Sequence, residues 1–500
     1  MFIRICVEEL IMLDTKHCFK TVKDLRKALL NREISAVELV DESYKRIEEI
    51  EDKVESFISL TKDLAYKTAK EVDKRIKIKD DLPLLAGIPI AIKDNMCTKG
   101  FHTTAGSKIL ENFVPPYNST VARKLEENFI PIIGKANLDE FAMGSSTENS
   151  AFKKTKNPWN LNMVAGGSSG GSATAVCSGE SVISLGSDTG GSIRLPASFC
   201  GIVGMKPTYG RVSRFGLIAY ASSLDQIGPM GRCVEDVALT LQAISGYDNM
   251  DSTSINMPVP DYTATLKKDI KDLRIGVISE MLGEGTNPEV KQAILNSIKV
   301  YESLGAKIEE ISIPHSQYAI ATYYVIAMAE ASANLARFDG VKYGYRAKNT
   351  ENIMEMYLKS RSEGFGEEVK SRIMIGTYAL SSGYYDAYYK KAQQVRALIK
   401  KDFDKAWEKV DLLLSPVCPT TAFELGAKIS DPLSMYLMDI GTITANLAGL
   451  PGISVPCGFD SKGLPVGLQL LGPALSEETL LRSAYNFEQA TDFHTKHPEI

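Results

Sequence analysis

Short apolar runs alternate with segments of helical periodicity along most of this chain. Between Thr21 and Ile50 apolar residues recur at the spacing of amphipathic helices, and a break near Asn31 predicts two helices rather than one. A third helix is predicted from Lys62 to about Ile76. Later segments repeat both patterns, with helices over 118–128 and 288–304 and strands over 88–92, 131–134, 181–186, 273–278, 411–416 and 452–456. This alternation indicates an α/β sandwich with a central mixed, largely parallel sheet.

The stretch from about residue 318 to residue 407 departs from this alternation, because it is mainly helical and contains several tyrosines. We expect it to form a helical cap over the loops of the sheet. No internal repeat and no low-complexity linker divides the chain, so we predict a single domain over residues 1–500. Residues 1–20 are predicted to be a lead-in to this domain. Their apolar start lacks a small-residue cleavage site and does not resemble a signal peptide.

The composition is that of an ordinary globular protein. Of the 500 residues, 44% are hydrophobic and 24% are charged, and the formal net charge is −5. This balance gives no electrostatic case for direct binding to nucleic acid, and no apolar run reaches the roughly 20 residues of a membrane helix. The eight cysteines form no CxxC pair, so we expect reduced thiols, no metal site and a cytoplasmic location.

Two glycine- and serine-rich segments are the most distinctive part of the sequence. Residues 166–172 read GGSSGGS, and residues 188–192 read DTGGS. Glycine has a high conformational-entropy cost, so such segments are expected where the backbone must approach another group closely. Backbone amides and hydroxyls collected in this way suit a reacting carbonyl. We therefore expect one of the two loops to carry a nucleophilic serine.

A nucleophile elbow and a phosphate-binding loop are the alternatives for the first segment. Gly166, Ser168 and Gly170 match G-x-S-x-G, but residues 160–165 are a poor strand and none of the five histidines lies in a distinctive motif. A Ser-His-Asp triad is therefore a disfavoured alternative. A phosphate-binding loop would need a lysine at its end, and none follows this segment.

Lys93 is the candidate for the base that accepts the serine proton. It follows directly after the apolar run of residues 88–92, so its aliphatic stem is expected to be buried. An exposed lysine has a pKa of about 10.4 and stays protonated at neutral pH. Burial lowers this pKa by several units, and a neutral lysine can then act as a general base. A structural lysine at a strand end is the alternative, and the two serine loops favour the catalytic interpretation.

Taken together, these segments resemble the signature of the amidase family. The match covers residues 166–172, 186–197 and 204–208, and residues 87–94 fit the strand that carries the lysine of the family. The resemblance implies the amidase-signature α/β/α sandwich. It also implies a Ser-Ser-Lys catalytic triad in place of a histidine-centred one.

Carried over onto this sequence, the triad consists of Ser192, Ser168 and Lys93. Ser192 is expected to attack an amide carbonyl. Its proton is expected to pass through the hydroxyl of Ser168, which follows a cis peptide bond in the family, to the neutral amine of Lys93. The proton then returns to the departing nitrogen.

The second loop is expected to supply the oxyanion hole as well as the nucleophile. The candidate donors are the backbone N–H groups of Thr189, Gly190 and Gly191, together with that of the nucleophile itself. Asp188 is expected to order this loop. Ser169 is expected to be structural, with a hydrogen bond to the lysine as a second possibility.

Segments outside the signature narrow the resemblance. Residues 137–148, 330–344 and 372–392 resemble the glutaminase subunits of tRNA-dependent glutamine amidotransferases, and the resemblance extends over nearly the whole chain from about Thr21. It implies free glutamine as the substrate. Such a site needs a cation for the α-carboxylate and an anion for the α-ammonium.

Within this subfamily, Arg372 is expected to bind the α-carboxylate of glutamine and Asp439 the α-ammonium, with Tyr323 in the wall of the pocket. The resemblance also implies a heterotrimer with a B-type and a small C-type subunit. The B-type partner would bind the tRNA, and ATP and magnesium with it, and would use the ammonia to amidate Glu-tRNA(Gln) or Asp-tRNA(Asn). No cofactor, metal or membrane is expected for this chain itself. A free-standing amidase for another amide and a catalytically silent scaffold subunit are the alternatives.

Overall fold

The computed structural model describes residues 17–427 and 435–500, and residues 1–16 of the predicted lead-in lie outside this part of the chain. The elements up to residue 206 are α1 (Val22–Asn31), α2 (Ala36–Val54), β1 (Phe57–Leu60), α3 (Lys62–Lys77), β2 (Ile90–Lys93), α4 (Thr120–Glu127), β3 (Ile132–Ala136), β4 (Lys156–Asn157), β5 (Asn160–Val164), α5 (Gly170–Cys177), β6 (Ile183–Asp188), α6 (Arg194–Cys200) and β7 (Val203–Lys206). The predicted alternation of strands and helices is therefore present.

The remaining elements continue this alternation around the predicted helical region. They are β8 (Gln226–Gly231), α7 (Val234–Ile244), β9 (Arg274–Ile278), α8 (Pro288–Ser303), β10 (Lys307–Ile311), α9 (Ala319–Asn334), α10 (Ile353–Gly364), α11 (Glu367–Leu380), α12 (Lys391–Trp407), β11 (Leu412–Pro416), α13 (Ile443–Ala448), β12 (Gly452–Phe459), β13 (Pro465–Leu471) and α14 (Glu477–Gln489). No helix within the described residues is long and apolar enough to cross a membrane.

One sheet organises the described part of the chain, with its strands in the order β1-β3-β2-β6-β8-β7-β12-β13-β11-β9-β10. Parallel pairing joins β2 to β3 and β6, and β9 to β10 and β11. The predicted mixed α/β sheet is confirmed, but antiparallel pairs outnumber parallel ones within the described strands. The reason is local connectivity, because β12 and β13 form a hairpin and β7 pairs with the strand that follows it.

Capping residues fix the break between the first two helices. Arg32 adopts a left-handed conformation with φ of 59° and ends α1. Ser35 and Glu38 then form a reciprocal capping box that starts α2. The break predicted near Asn31 is confirmed, because α1 ends there and α2 begins a few residues later.

The helical region between β10 and β11 has its own apolar core. α9 packs against α11 and α12. Ile326, Val369 and Phe403 belong to one hydrophobic cluster that also contains Leu413 of β11 and Leu471 of β13. This cluster holds the cap helices against the sheet, so that polar side chains on α9 and α11 can reach the loops at the sheet edge.

Candidate active site

Lys93 and the second serine loop emerge at the same edge of the sheet. β2 and β6 are parallel neighbours, and Ile92 pairs with Leu185. Because parallel strands end on the same side, the end of β2 lies beside the loop that follows β6. The first serine loop, between β5 and α5, is tied to the second by a hydrogen bond of 3.1 Å from the N–H of Ser169 to the carbonyl oxygen of Ser192.

Lys93 and Ser168 are in contact at this edge, and Ser192 lies on the second loop, which a backbone hydrogen bond joins to the first. Lys93 Nζ lies 2.7 Å from Ser168 Oγ, 2.9 Å from Ser169 Oγ and 3.4 Å from the carbonyl oxygen of Ser187. The Gly167–Ser168 peptide bond is cis. Lys93 and Ser168 are fully buried, whereas Ser192 keeps 8% of its surface exposed. The residue expected to attack is therefore the one that a substrate can reach.

The amine of Lys93 has the properties of a base rather than of a permanent cation. Burial lowers the pKa of Lys93 to about 7, and the carboxylates of Asp139, Asp188 and Asp225 partly oppose this shift. At neutral pH a large fraction of the amine is consequently uncharged. The sequence predicted this from the apolar strand alone, and the structure adds the three opposing carboxylates.

Burial by itself does not make a lysine a base at this site. Lys135 and Lys206 are also fully buried. The ammonium of Lys135 lies 3.3 Å from Asp94 Oδ1, and that of Lys206 donates to the carbonyl oxygen of Pro207 at 3.0 Å. Within the described residues, only Lys93 of these three has its amine against serine hydroxyls.

The strand predicted to be absent before the first loop is present, which corrects the sequence analysis. Residues 160–164 form β5, because they pair with the short strand β4 in a two-stranded ribbon outside the main sheet. A histidine-centred triad is nevertheless not formed. His17 contacts Glu42, and His315 contacts Asp402. No histidine within residues 17–427 and 435–500 hydrogen-bonds to a serine of either loop.

Asp188 orders the second loop from beneath. Its carboxylate accepts the N–H groups of Gly191 at 2.8 Å and Ile193 at 3.2 Å. Arg194 forms a two-pronged ion pair with it, at 3.0 Å from both Nε and Nη2. Burial acts to raise the pKa of Asp188, but the guanidinium of Arg194, the amine of Lys206 and the hydrogen bond from Asn446 together lower it to about 2.

The expected oxyanion donors are not equivalent in this geometry. Gly191 has φ of 136°, a conformation that favours glycine, and its N–H is already donated to Asp188. Within the described chain, the backbone amides of Thr189, Gly190 and Ser192 have no such acceptor. These three amides are therefore the ones available to a substrate.

Arg372 lies on α11 and is almost fully buried among aromatic side chains. Its Nε donates to Glu368 Oε1 at 2.7 Å, and its Nη1 donates to the hydroxyl of Tyr220 at 2.7 Å. The guanidinium carbon lies 5.3 Å from the ring centre of Tyr324 and 5.6 Å from that of Tyr436. The aromatic rings hold the cation by cation–π contacts and leave Nη2 without a hydrogen-bond partner in the described residues.

Asp439 contacts the hydroxyl group of the same tyrosine, Tyr324. Both of its oxygens accept from Ser145 Oγ at 3.0 Å, and Oδ2 also accepts from the hydroxyl of Tyr324 at 3.0 Å. Burial raises the pKa of Asp439 to about 7. The cation of Arg372 faces the ring of Tyr324, while the carboxyl group of Asp439 binds its hydroxyl, so two opposite charges are separated by one side chain.

This pair of charges adjoins the second serine loop. Thr442 Oγ1 donates to the carbonyl oxygens of Gly190 at 2.6 Å and Asp439 at 3.0 Å. A Cβ atom added at Gly190 would lie 2.5 Å from the hydroxyl of Tyr323, so this tyrosine packs directly on the loop. The structure thus places Arg372, Asp439 and Tyr323 in one site with the triad.

Several residues of the site were not found by sequence reasoning. They are Ser145, Tyr220, Asp225, Tyr324, Glu368, Tyr436 and Thr442. The many tyrosines of the cap region were a partial signal, since Tyr324 comes from that region. Glu368 also comes from the cap region, and the remaining residues belong to separate segments around 145, 220–225 and 436–442 that share no motif.

Comparison with known proteins agrees with this geometry. A family model described as Amidase matches residues 38–481. The A-type subunit of glutamyl-tRNA(Gln) amidotransferase from Bacillus licheniformis is 61% identical over 479 residues, which cover 96% of this chain and 99% of that protein. The protein of the same name from a Cyanothece species is 59% identical over 480 residues, covering 96% and 100%.

Solved structures give the same result. The crystal structure of the A-type subunit of glutamyl-tRNA(Gln) amidotransferase from Thermotoga maritima is 43% identical, with a TM-score of 0.75, and the match covers 95% of this chain and 94% of that one. A bacterial aryl acylamidase at 22% identity shares the fold, with a TM-score of 0.84 and coverage of 95% and 97%. The predicted resemblance is confirmed, and the chain belongs to the Amidase family of enzymes.

Proposed function

We propose that this chain is the glutaminase subunit of a tRNA-dependent amidotransferase. It hydrolyses glutamine to glutamate and ammonia, and the ammonia amidates Glu-tRNA(Gln), or Asp-tRNA(Asn), on a partner protein. The relatives that are about 60% identical over nearly their full length carry the name of such a subunit. The names of these relatives support the reaction class, and the pocket supports the substrate.

The choice of glutamine rests on two oppositely charged groups that both contact Tyr324, Arg372 at its ring and Asp439 at its hydroxyl. A free amino acid has a carboxylate and an ammonium on adjacent atoms, and a site for it needs complementary charges at short separation. Arg372 offers an unoccupied Nη2 to the carboxylate, and Asp439 offers its carboxyl group to the ammonium. An amide without these two groups would leave Nη2 of Arg372 without an acceptor and the carboxyl group of Asp439 without a cation.

The positions of the two serine loops support the following reaction. Ser192 Oγ attacks the side-chain carbonyl carbon of glutamine. The proton passes through Ser168 to the neutral amine of Lys93, and the oxyanion accepts hydrogen bonds from the backbone amides of Thr189, Gly190 and Ser192 in the second loop. The proton returns to the departing nitrogen, and ammonia leaves. Water then attacks the acyl-enzyme by the reverse proton path, which releases glutamate and restores the serine.

Both serines around Lys93 contribute to this transfer. Ser168 Oγ and Ser169 Oγ lie within 2.9 Å of Lys93 Nζ. Ser169 also donates to the carbonyl oxygen of Ser187 at 3.1 Å, so its hydroxyl is fixed and serves to orient the amine. Ser168 Oγ accepts from Lys93 Nζ, and its own proton has no acceptor within the described residues, which leaves this hydroxyl free to relay a proton.

The partner functions belong to other chains of the proposed heterotrimer. The B-type subunit would bind ATP, magnesium and the charged tRNA, and the small C-type subunit would hold the two together. The net charge of −5 fits a subunit that does not itself bind tRNA. A location in the cytoplasm, where charged tRNA is used, is part of the same proposal.

The test is amidation of mischarged tRNA by the chain assembled with the subunits that co-purify with it. Glutamine-dependent conversion of Glu-tRNA(Gln) to Gln-tRNA(Gln) is the expected result, and it should stop with Ser192→Ala but continue when ammonia is supplied. Glutamine hydrolysis without any transfer to tRNA would instead indicate a free-standing amidase. Transfer from glutamine that persists with Ser192→Ala would indicate a silent scaffold.

A further inference from the structure

A chain of buried hydrogen bonds connects the second serine loop to the arginine of the pocket. Thr189 Oγ1 donates to Asp225 Oδ1 at 2.7 Å. Asp225 Oδ2 accepts the backbone N–H of Tyr220 at 2.9 Å, and the hydroxyl of Tyr220 accepts Nη1 of Arg372 at 2.7 Å. All four side chains are almost fully buried. The chain therefore runs inside the protein, away from competing water.

Asp225 holds the backbone turn that carries Tyr220. Its carboxylate accepts the N–H of Ala221 at 3.1 Å from each oxygen, in addition to that of Tyr220. Its own backbone N–H donates to the carbonyl oxygen of Ala221 at 2.9 Å. A carboxylate bound both to this turn and to Thr189 has little freedom to move, so the loop and the turn are fixed to each other.

A second series of contacts, through Tyr323, also links the second serine loop to Arg372. The side chain of Tyr323 packs on Gly190, next to Thr189, so that a Cβ atom at Gly190 would lie 2.5 Å from its hydroxyl. The ring of Tyr323 is 5.0 Å from that of Tyr324, which faces Arg372. The loop of the nucleophile and the guanidinium are thus held by two separate routes.

We propose that Tyr220 and Asp225 are positioning residues that fix Arg372 relative to the oxyanion loop, so that the α-carboxylate and the scissile amide of one glutamine are aligned together. This inference rests on the proposed function and deepens it. Neither residue touches the reacting atoms. Tyr220 acts on substrate binding through the guanidinium, whereas Asp225 acts on both binding and turnover, because it also holds Thr189.

The experiment compares kcat and KM for glutamine in the full chain assembled with its partner subunits. Tyr220→Phe keeps the ring and removes the hydrogen bond to a charged group, so KM should rise about tenfold while kcat stays within about threefold. Asp225→Asn keeps the shape but loses an acceptor, so kcat should fall by about tenfold and KM should rise as well. A Tyr220→Phe enzyme with unchanged KM, or with the whole loss in kcat, would overturn the inference.

A matched control exists elsewhere in the chain. The buried hydroxyl of Tyr262 accepts Nε of Arg211 at 2.8 Å, with the guanidinium 5.9 Å from the ring centre, so the pair resembles Tyr220 and Arg372. Tyr262→Phe should leave both kinetic constants unchanged. A rise in KM in this variant would mean that losing any tyrosine–arginine hydrogen bond of this kind raises KM.

The variant Arg372→Ala separates the positioning role from the proposed function. If Arg372→Ala raises KM and Tyr220→Phe does not, only the positioning role fails, and if Arg372→Ala also leaves KM unchanged, the glutamine pocket fails too.

Discussion

Lys93 Nζ and Ser168 Oγ lie 2.7 Å apart although 75 positions separate the two residues in sequence. The contact is made in a fully buried region, where it can transfer a proton without loss to water. Burial also lowers the pKa of Lys93 to about 7, so the same environment that excludes water prepares the amine to accept that proton.

The pH dependence of glutamine hydrolysis should contain two acid-side ionisations. Lys93 acts when neutral, so kcat should rise as pH increases through about 7. Asp439 binds the ammonium when ionised, and its pKa is also about 7 in the free enzyme, so it should appear in kcat/KM. The acid limb of kcat/KM should therefore be steeper than that of kcat. Asp439→Asn should reduce it to the slope of a single ionisation, and an unchanged slope would argue against its role.

Removing the guanidinium of Arg372 should weaken glutamine binding selectively. A hydrogen bond to a charged group contributes about 1.5–3 kcal/mol, so Arg372→Ala should raise KM by roughly 10- to 150-fold. Arg361→Ala is a suitable control, because Arg361 also ties the cap together, through the carbonyl oxygens of Leu335 and Phe338, without approaching the site. An equal rise in KM in both variants would point to cap destabilisation rather than to lost substrate contact.

A side chain at Gly191 should disable turnover. The backbone there has φ of 136°, and an added Cβ would collide with Thr442. Gly191→Ala should displace the oxyanion loop and lower kcat by about 10²- to 10³-fold, the range seen when one oxyanion donor is lost. Gly463→Ala, with φ of 76° and no atom of the described residues within 4 Å of the new Cβ, provides the control for backbone strain alone. Steady-state kinetics of both variants test this prediction. Full activity of Gly191→Ala would contradict the assignment of this loop as the oxyanion hole.

The buried ion pair between Asp188 and Arg194 should contribute more to the free energy of unfolding than an ion pair at the surface. Arg194→Ala leaves a buried carboxylate unpaired, which costs about 3–5 kcal/mol. The matched change Arg274→Ala removes a half-exposed partner of Asp411 and should cost less than about 1 kcal/mol. Thermal unfolding at neutral pH should show a large drop in Tm for the first variant only. Similar small shifts in both would mean that Asp188 is held chiefly by its other donors.

The pKa of Asp188 determines how the stabilisation by its ion pair with Arg194 depends on pH. Its folded pKa of about 2 lies below the value of about 3.9 for an unfolded aspartate. The stabilisation is therefore complete above about pH 4 and disappears as pH falls through 2. The difference in Tm between the wild type and Arg194→Ala should accordingly shrink in strong acid.

The sequence predicted the parts of the site that local pattern determines. Lys93 was found because an apolar strand precedes it, and the two serine loops were found because glycine is concentrated there. Residues that come into contact only in the folded chain have no local sequence pattern that predicts their contact. Tyr220 and Arg372 are 152 positions apart, and nothing in the spacing relates them.

The assignment of Gly191 as an oxyanion donor shows a second limit of sequence reasoning. A glycine in a loop indicates close approach of the backbone, but it does not reveal which group approaches. In the folded protein the carboxylate of Asp188, three positions earlier, takes that N–H. Within residues 17–427 and 435–500, the amides of Thr189, Gly190 and Ser192 have no acceptor and remain available.

Covalent labelling with a glutamine analogue that carries an electrophilic diazoketone in place of the amide tests the central claim most directly. Mass spectrometry of the digested protein should find one adduct, on Ser192, and none after Ser192→Ala. Ser168→Ala should slow labelling without moving the adduct, because the relay is lost but the nucleophile remains. An adduct on another residue, or labelling that survives Ser192→Ala, would contradict the assignment of Ser192 as the residue that attacks.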